Sequence, residues 1–107
     1  MTTKQSTADY ILDQLISVDN VSVRKMFGEY ALYCDGKVVG LVCDDTLYIK
    51  ITEQGKIFTG KYYQEGSAYK GAKTSIVIDE GLEDREWLSE LVRITAENLP
   101  LPKKTAK

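Results

Sequence analysis

The chain has 107 residues, 43% of them hydrophobic and 28% charged, with a formal net charge of −2. That length supports one domain with a single core, and a slightly acidic balance gives no overall field for nucleic acid. Histidine is absent, which excludes Ser-His and Cys-His catalysis within one chain and removes the commonest transition-metal ligand.

The N-terminal "MTTKQSTADY" has no apolar signal core, and the longest apolar run, "VVGLVC", is too short to span a bilayer. A cytoplasmic protein with no membrane partner is expected. In chain order, Ser6 to Ile16 carries Tyr10, Ile11, Leu12, Leu15 and Ile16 at helical spacing, with Ser6 or Thr7 as cap. Asp19-Asn20 ends that helix. The segment "VRKMFGEY" follows, in which Met26 and Phe27 bring apolar bulk ahead of Gly28, a residue that permits a bend. Two readings stay open there: a plug at the end of the core, or a sheet-edge segment that presents its side chains to a partner.

Three strands come next as a meander, Glu29 to Cys34, Lys37 to Cys43 and Thr46 to Ile51. Asp35-Gly36 is the strongest hairpin signal, because both central turn positions need positive φ, and Asp44-Asp45 makes the second turn. Tight turns set Tyr33 opposite Val38, Ala31 opposite Gly40 and Val42 opposite Leu47. One face then carries Ala31, Tyr33, Val38, Val42, Leu47, Ile49 and Ile51 and reads as core. The other carries Tyr30, Leu32, Val39, Leu41 and Tyr48, too apolar to stay wet. It calls for a covering helix, a partner or a second copy, and a homodimer is expected. The two cysteines, Cys34 and Cys43, lie roughly 20 Å apart in this arrangement, beyond disulfide reach, and are expected as free thiols.

Glu53 to Phe58 reads as a short helix. A hairpin of Tyr62 to Tyr69 and Thr74 to Asp79 turns near Gly71-Ala72. Asp84 caps a final helix to about Leu99, with Trp87, Leu88, Leu91, Val92 and Thr95 on its buried side. Pro100 and Pro102 stop it, and Lys103, Lys104 and Lys107 make a basic tail, expected to be flexible. The elements describe a two-layer α+β domain over residues 1–99 with an antiparallel sheet, in the order α-β-β-β-α-β-β-α, followed by a tail over 100–107.

Catalytic and ligand motifs are scarce. The glycines fall singly, with no phosphate-binding loop. Asp44-Asp45 reads as a turn rather than a metal site, and no metal or cofactor is expected. From Lys50 to Lys73, five lysines meet two acids with tyrosines interleaved. Lysine supplies phosphate attraction and tyrosine a stacking surface, so Lys61, Tyr62, Tyr63 and Lys70 are candidates for contact with nucleic acid. A strand pair with lysine outside and tyrosine inside gives the same pattern.

The stretch "RKMFGEYALYCDGKVVGLVCDDTLYIKI" strongly resembles the signature of the TfoX/Sxy N-terminal domain. Arg24, Met26, Phe27, Gly28, Tyr30, Leu32 and Tyr33 match its first motif. Asp44, Asp45, Thr46, Leu47, Tyr48 and Lys50 match its second. The likeness extends over nearly all of residues 8–99, with "IDEG" where the family has Val-Pro before its last helix. The resemblance implies an α+β fold and a non-enzymatic role. Longer relatives regulate natural-competence (DNA transformation) genes at promoters and carry a second, helical domain, where this chain has a proline-lysine tail. A stand-alone domain acting through protein contacts in transcription regulation, with a transcription factor as one such partner, is the expected function. The partner-binding candidates are Arg24, Lys25, Met26, Phe27, Gly28, Glu29, Tyr30, Leu32, Leu41 and Tyr48.

Overall fold

The computed structural model describes residues 4–26 and 29–99. Phe27, Gly28 and the tail of residues 100–107 lie outside them. Helix α1 (Gln5–Gln14) leads into β1 (Val21–Met26), β2 (Glu29–Cys34), β3 (Lys37–Cys43) and β4 (Thr46–Ile49). Then come α2 (Glu53–Thr59), β5 (Glu65–Ser67), β6 (Thr74–Ile78) and α3 (Arg85–Asn98), with single 3₁₀ turns before β5 and before α3. The strands form one antiparallel sheet in the order β1-β2-β3-β4-β6-β5. This is the two-layer α+β domain expected from the sequence, with one strand added ahead of the meander and the strand expected over Tyr62 to Tyr69 shortened to Glu65–Ser67, because Tyr62 belongs to a 3₁₀ turn.

That strand is built from the segment leading to Met26-Phe27-Gly28. Val21 to Met26 pair with Cys34 to Glu29 along the whole of β2. Val21 and Val23 alternate with Ser22 and Arg24, the period of a strand with one covered face.

Both expected turns form. Asp35 and Gly36 have φ of 54° and 78°, and Asp44 and Asp45 have 52° and 61°, the doubly positive pattern of a two-residue hairpin turn. Asp84 caps α3 by accepting from the Trp87 backbone N–H at 3.1 Å. Thr52 caps α2 by accepting from Gly55 N–H at 2.9 Å. The cap expected at Ser6 or Thr7 is replaced. Lys4 is the N-cap residue and makes no side-chain cap bond. Asp45 instead accepts the Lys4 backbone N–H at 2.9 Å and the Thr7 hydroxyl at 2.8 Å.

The register differs from the expected one at a single point, with large consequences. Leu32 pairs with Gly40 but Tyr33 pairs with Val38, so Val39 is an inserted residue, a β-bulge. Beyond the bulge, Ala31 faces Leu41 rather than Gly40, and Tyr30 faces Val42. A one-residue shift exchanges the faces of everything past it. Tyr30, Leu32, Cys34 and Val39 therefore join Val42, Leu47, Ile49, Ile76 and Ile78 under the helices. Ala31, Tyr33 and Val38 go to the other side, with Leu41 and Tyr48.

Gly40 permits this. A Cβ on residue 40 would collide with the Tyr48 carbonyl oxygen of the neighbouring strand. The core is closed by Ala8 and Ile11 of α1, by Leu15 just after it, and by Leu88, Leu91, Val92 and Ala96 of α3. Tyr30 also donates its hydroxyl to Gln5 Oε1 at 2.9 Å, tying β2 to α1. Among the described residues no helix is long and apolar enough to cross a membrane.

Candidate functional site: the uncovered sheet face

The helices cover one side of the sheet. On the other side a row runs across four strands through Ala31, Leu41, Tyr48 and Val77, each the register partner of the next. Arg24 of β1 extends the row at one edge. Its guanidinium lies 5.8 Å from the centre of the Tyr33 ring, a cation–π contact. Tyr33 and Val38 form the next row, and Cys43 lies on the same side beside the second turn.

Leu41, Tyr48 and Val77 are half-buried within this one chain. Ala31 is 1% exposed and Cys43 4%, although α1 and α3 pack on the opposite side of the sheet. The face is thus apolar at its centre, with Arg24, Glu29 and Lys50 towards its margins. Burial, with Glu29 and Asp44 nearby, pushes the Cys43 thiol up from its ordinary value. Both cysteines are buried free thiols. Cys34 is likewise raised, first by burial and then by Asp35.

The partner candidates divide accordingly. Leu41 and Tyr48 are on the uncovered face. Tyr30 and Leu32 are on the opposite one, 4% and 0% exposed, so they shape the core and offer no surface. Arg24, Lys25 and Met26 are exposed on the edge strand. Glu29, at the start of β2, accepts from the Asp44 backbone N–H at 3.1 Å. Phe27 and Gly28 lie outside the described residues. Ala31, Tyr33, Val38 and Val77 belong to the face without having been candidates. The lone glycine inside β3 was the signal available for the bulge that puts the first three there.

Of the nucleic-acid candidates, Lys61, Tyr62 and Tyr63 are consecutive, and the Lys61 ammonium lies 5.3 Å from the Tyr62 ring centre. Lys61 and Tyr62 lie on a 3₁₀ turn, where the Tyr62 ring meets Trp87 edge-on at 6.1 Å. Tyr63 donates its hydroxyl to Glu65 at 2.6 Å, which pushes its pKa up to about 12, and the Lys56 ammonium lies 5.5 Å from its ring centre. Lys70 is on the β5–β6 connection. Each aromatic group already has a structural contact. Among the described residues no group of three or more His, Cys, Asp or Glu side chains could hold a metal ion.

Comparison with known proteins agrees with this architecture. The sequence model of the TfoX N-terminal domain matches residues 13–99. An uncharacterized 12.7 kDa protein in the trpE 5′ region of Spirochaeta aurantia is 42% identical over 103 residues, spanning 96% of this chain and 89% of that protein. A family match over most of the chain, on a fold with the expected strands and helices, fixes the relationship: the chain belongs to the TfoX N-terminal domain family.

Proposed function

We propose that this chain is a cytoplasmic, non-enzymatic regulatory domain that works through protein contacts, its uncovered sheet face closing on a second copy of itself. Its bearing on transcription follows the competence regulators whose domain it shares. The observation that carries the contact surface is the Ala31–Leu41–Tyr48 row. Leu41 lies on the central strand of the three, with a small residue on one side and a large one on the other. A two-fold axis along β3 sets Leu41 on its own copy and Ala31 opposite Tyr48 twice over. That is the self-complementarity an isologous interface needs.

Five strands about 4.8 Å apart and about five residues deep make a footprint of roughly 24 by 17 Å. That is about half the area per partner of a standard stable interface, so the dimer is weak, with micromolar dissociation.

Sedimentation equilibrium across micromolar concentrations tests this. The wild-type chain is expected to move between monomer and dimer, and Leu41→Glu to stay monomeric with an unchanged circular dichroism spectrum. A wild-type chain that stays monomeric throughout overturns the self-contact. Transcript sequencing of a deletion strain and of an L41E strain tests the regulatory role. Both are expected to shift the same genes, and a deletion that shifts none removes that role.

A further inference from the structure

At one end of the sheet is a cleft of about 820 Å³, within the size range of small-molecule sites. We propose that it binds a nucleotide unit, with the base against its apolar wall and the phosphate between Lys50 and Lys73. Three observations combine.

The cleft is concave and its floor is apolar. Val38 and Leu41 of β3, Ile51 after β4 and Leu99 at the end of α3 line it. The β5–β6 connection folds over one side and contributes Tyr69, 61% exposed. Unlike Tyr62, whose ring meets Trp87, and Tyr63, whose hydroxyl is bound to Glu65, Tyr69 offers its ring to the cleft and to solvent. An exposed tyrosine ring at an apolar wall is a stacking surface for any base.

The second observation is charge. Lys37, Lys50 and Lys73 line the cleft, and its described lining residues include no carboxylate. The whole chain is net −2, so this local excess runs against the molecule's overall sign.

The third is how those lysines are disposed. Lys37 donates to the Ala96 carbonyl at 2.6 Å and so serves the last turns of α3. Lys50 and Lys73 are exposed, and among the described residues neither forms an ion pair with a carboxylate. Lys50 follows Ile49, the register partner of Ile76, and Lys73 precedes Thr74. The two ammonium groups thus leave adjacent strands at the same end of the sheet. A phosphate monoester dianion placed between them meets two point charges, each on a long stem that can follow it.

An NMR titration of the full ¹⁵N-labelled chain with thymidine 5′-monophosphate tests the site. Thymidine and inorganic phosphate serve as half-ligand controls, and oligothymidylate as a second arm. Shifts are expected at amides of residues 36–41, 50–51 and 68–75, with the mononucleotide binding more tightly than either half. Lys73→Glu and Tyr69→Ala should each weaken binding about tenfold or more, as should raised salt, while Lys61→Glu should not. The K73E and Y69A changes leave the Ala31–Leu41–Tyr48 row intact, so failure here does not entail failure of the self-contact. Tighter binding of oligothymidylate at the same residues assigns the site to a strand, and parity assigns it to free nucleotide. Shifts confined to other residues, no binding, or equal binding of inorganic phosphate alone overturn the proposal.

Discussion

Asp45 and Thr7, 38 positions apart, are joined by a 2.8 Å hydrogen bond from the threonine hydroxyl to the aspartate carboxylate. The same oxygen takes the Lys4 backbone N–H at 2.9 Å. The turn between β3 and β4 therefore supplies the acceptor that the start of α1 lacks in its own residues. Helix N-termini leave their first N–H groups unpaired and favour negative charge, and a carboxylate from a neighbouring turn meets both needs.

This relationship has a pH signature. The Lys4 N–H first, and the Thr7 hydroxyl second, hold the Asp45 carboxyl below its ordinary value. A group depressed in the folded state stabilises above its unfolded pKa, near 4, and that stabilisation is lost as pH falls through the lower folded value. Asp45→Ala should therefore lower stability by a constant amount from pH 5 upward. The gap to wild type should narrow as the pH falls below about 4, leaving the pH-independent cost of an alanine at the φ of 61° that residue 45 adopts. Urea denaturation at several pH values measures the gap, and a gap that widens in acid would contradict the assignment.

The bulge at Val39 predicts opposite costs for two leucines nine residues apart. Leu32 is fully buried under the helices, so Leu32→Ala should cost about 2–5 kcal/mol. Leu41 is half-buried on the uncovered face, so Leu41→Ala should cost about 1 kcal/mol or less at concentrations where the chain is monomeric. Chemical denaturation of the two variants decides it, and equal costs would mean that the faces are assigned wrongly.

Gly40→Ala probes the bulge itself. The added methyl meets the Tyr48 carbonyl oxygen, which is backbone and cannot swing away. A loss of about 1–3 kcal/mol is expected, the usual range for overpacking. A thermal melt unchanged from wild type would show that β3 and β4 have room to separate at this point.

The cysteines should be inert in the native protein. Both are buried free thiols whose pKa values are raised chiefly by burial, and the thiolate is the form that reacts. Iodoacetamide at mildly alkaline pH should leave the folded chain unmodified and add two groups in denaturant, as read by intact mass. Native labelling at the rate of a free thiol would show that the sheet opens at Cys34 or Cys43.

The parts legible in the sequence are those whose signals lie within a few residues of each other. Asp35-Gly36 and Asp44-Asp45 fix the turns because positive φ is a property of the turn residues themselves. Asp84 starts α3 because its acceptor reaches an N–H three residues on. The match of Arg24 to Tyr33 and of Asp44 to Lys50 with the family motif likewise needs no tertiary contact.

Tertiary structure decided which side of the meander the helices cover. A strand with apolar residues on both faces has no local preference, and the inserted Val39 assigns them only because α1 and α3 bury Tyr30, Leu32 and Val39 together. It also decided that Val21 to Met26 is a strand, since its partner groups all lie on β2. The uncovered row, the source of the α1 cap and the cleft at the sheet's end depend on the same packing. Each joins residues from different elements, and no periodicity within one element encodes that.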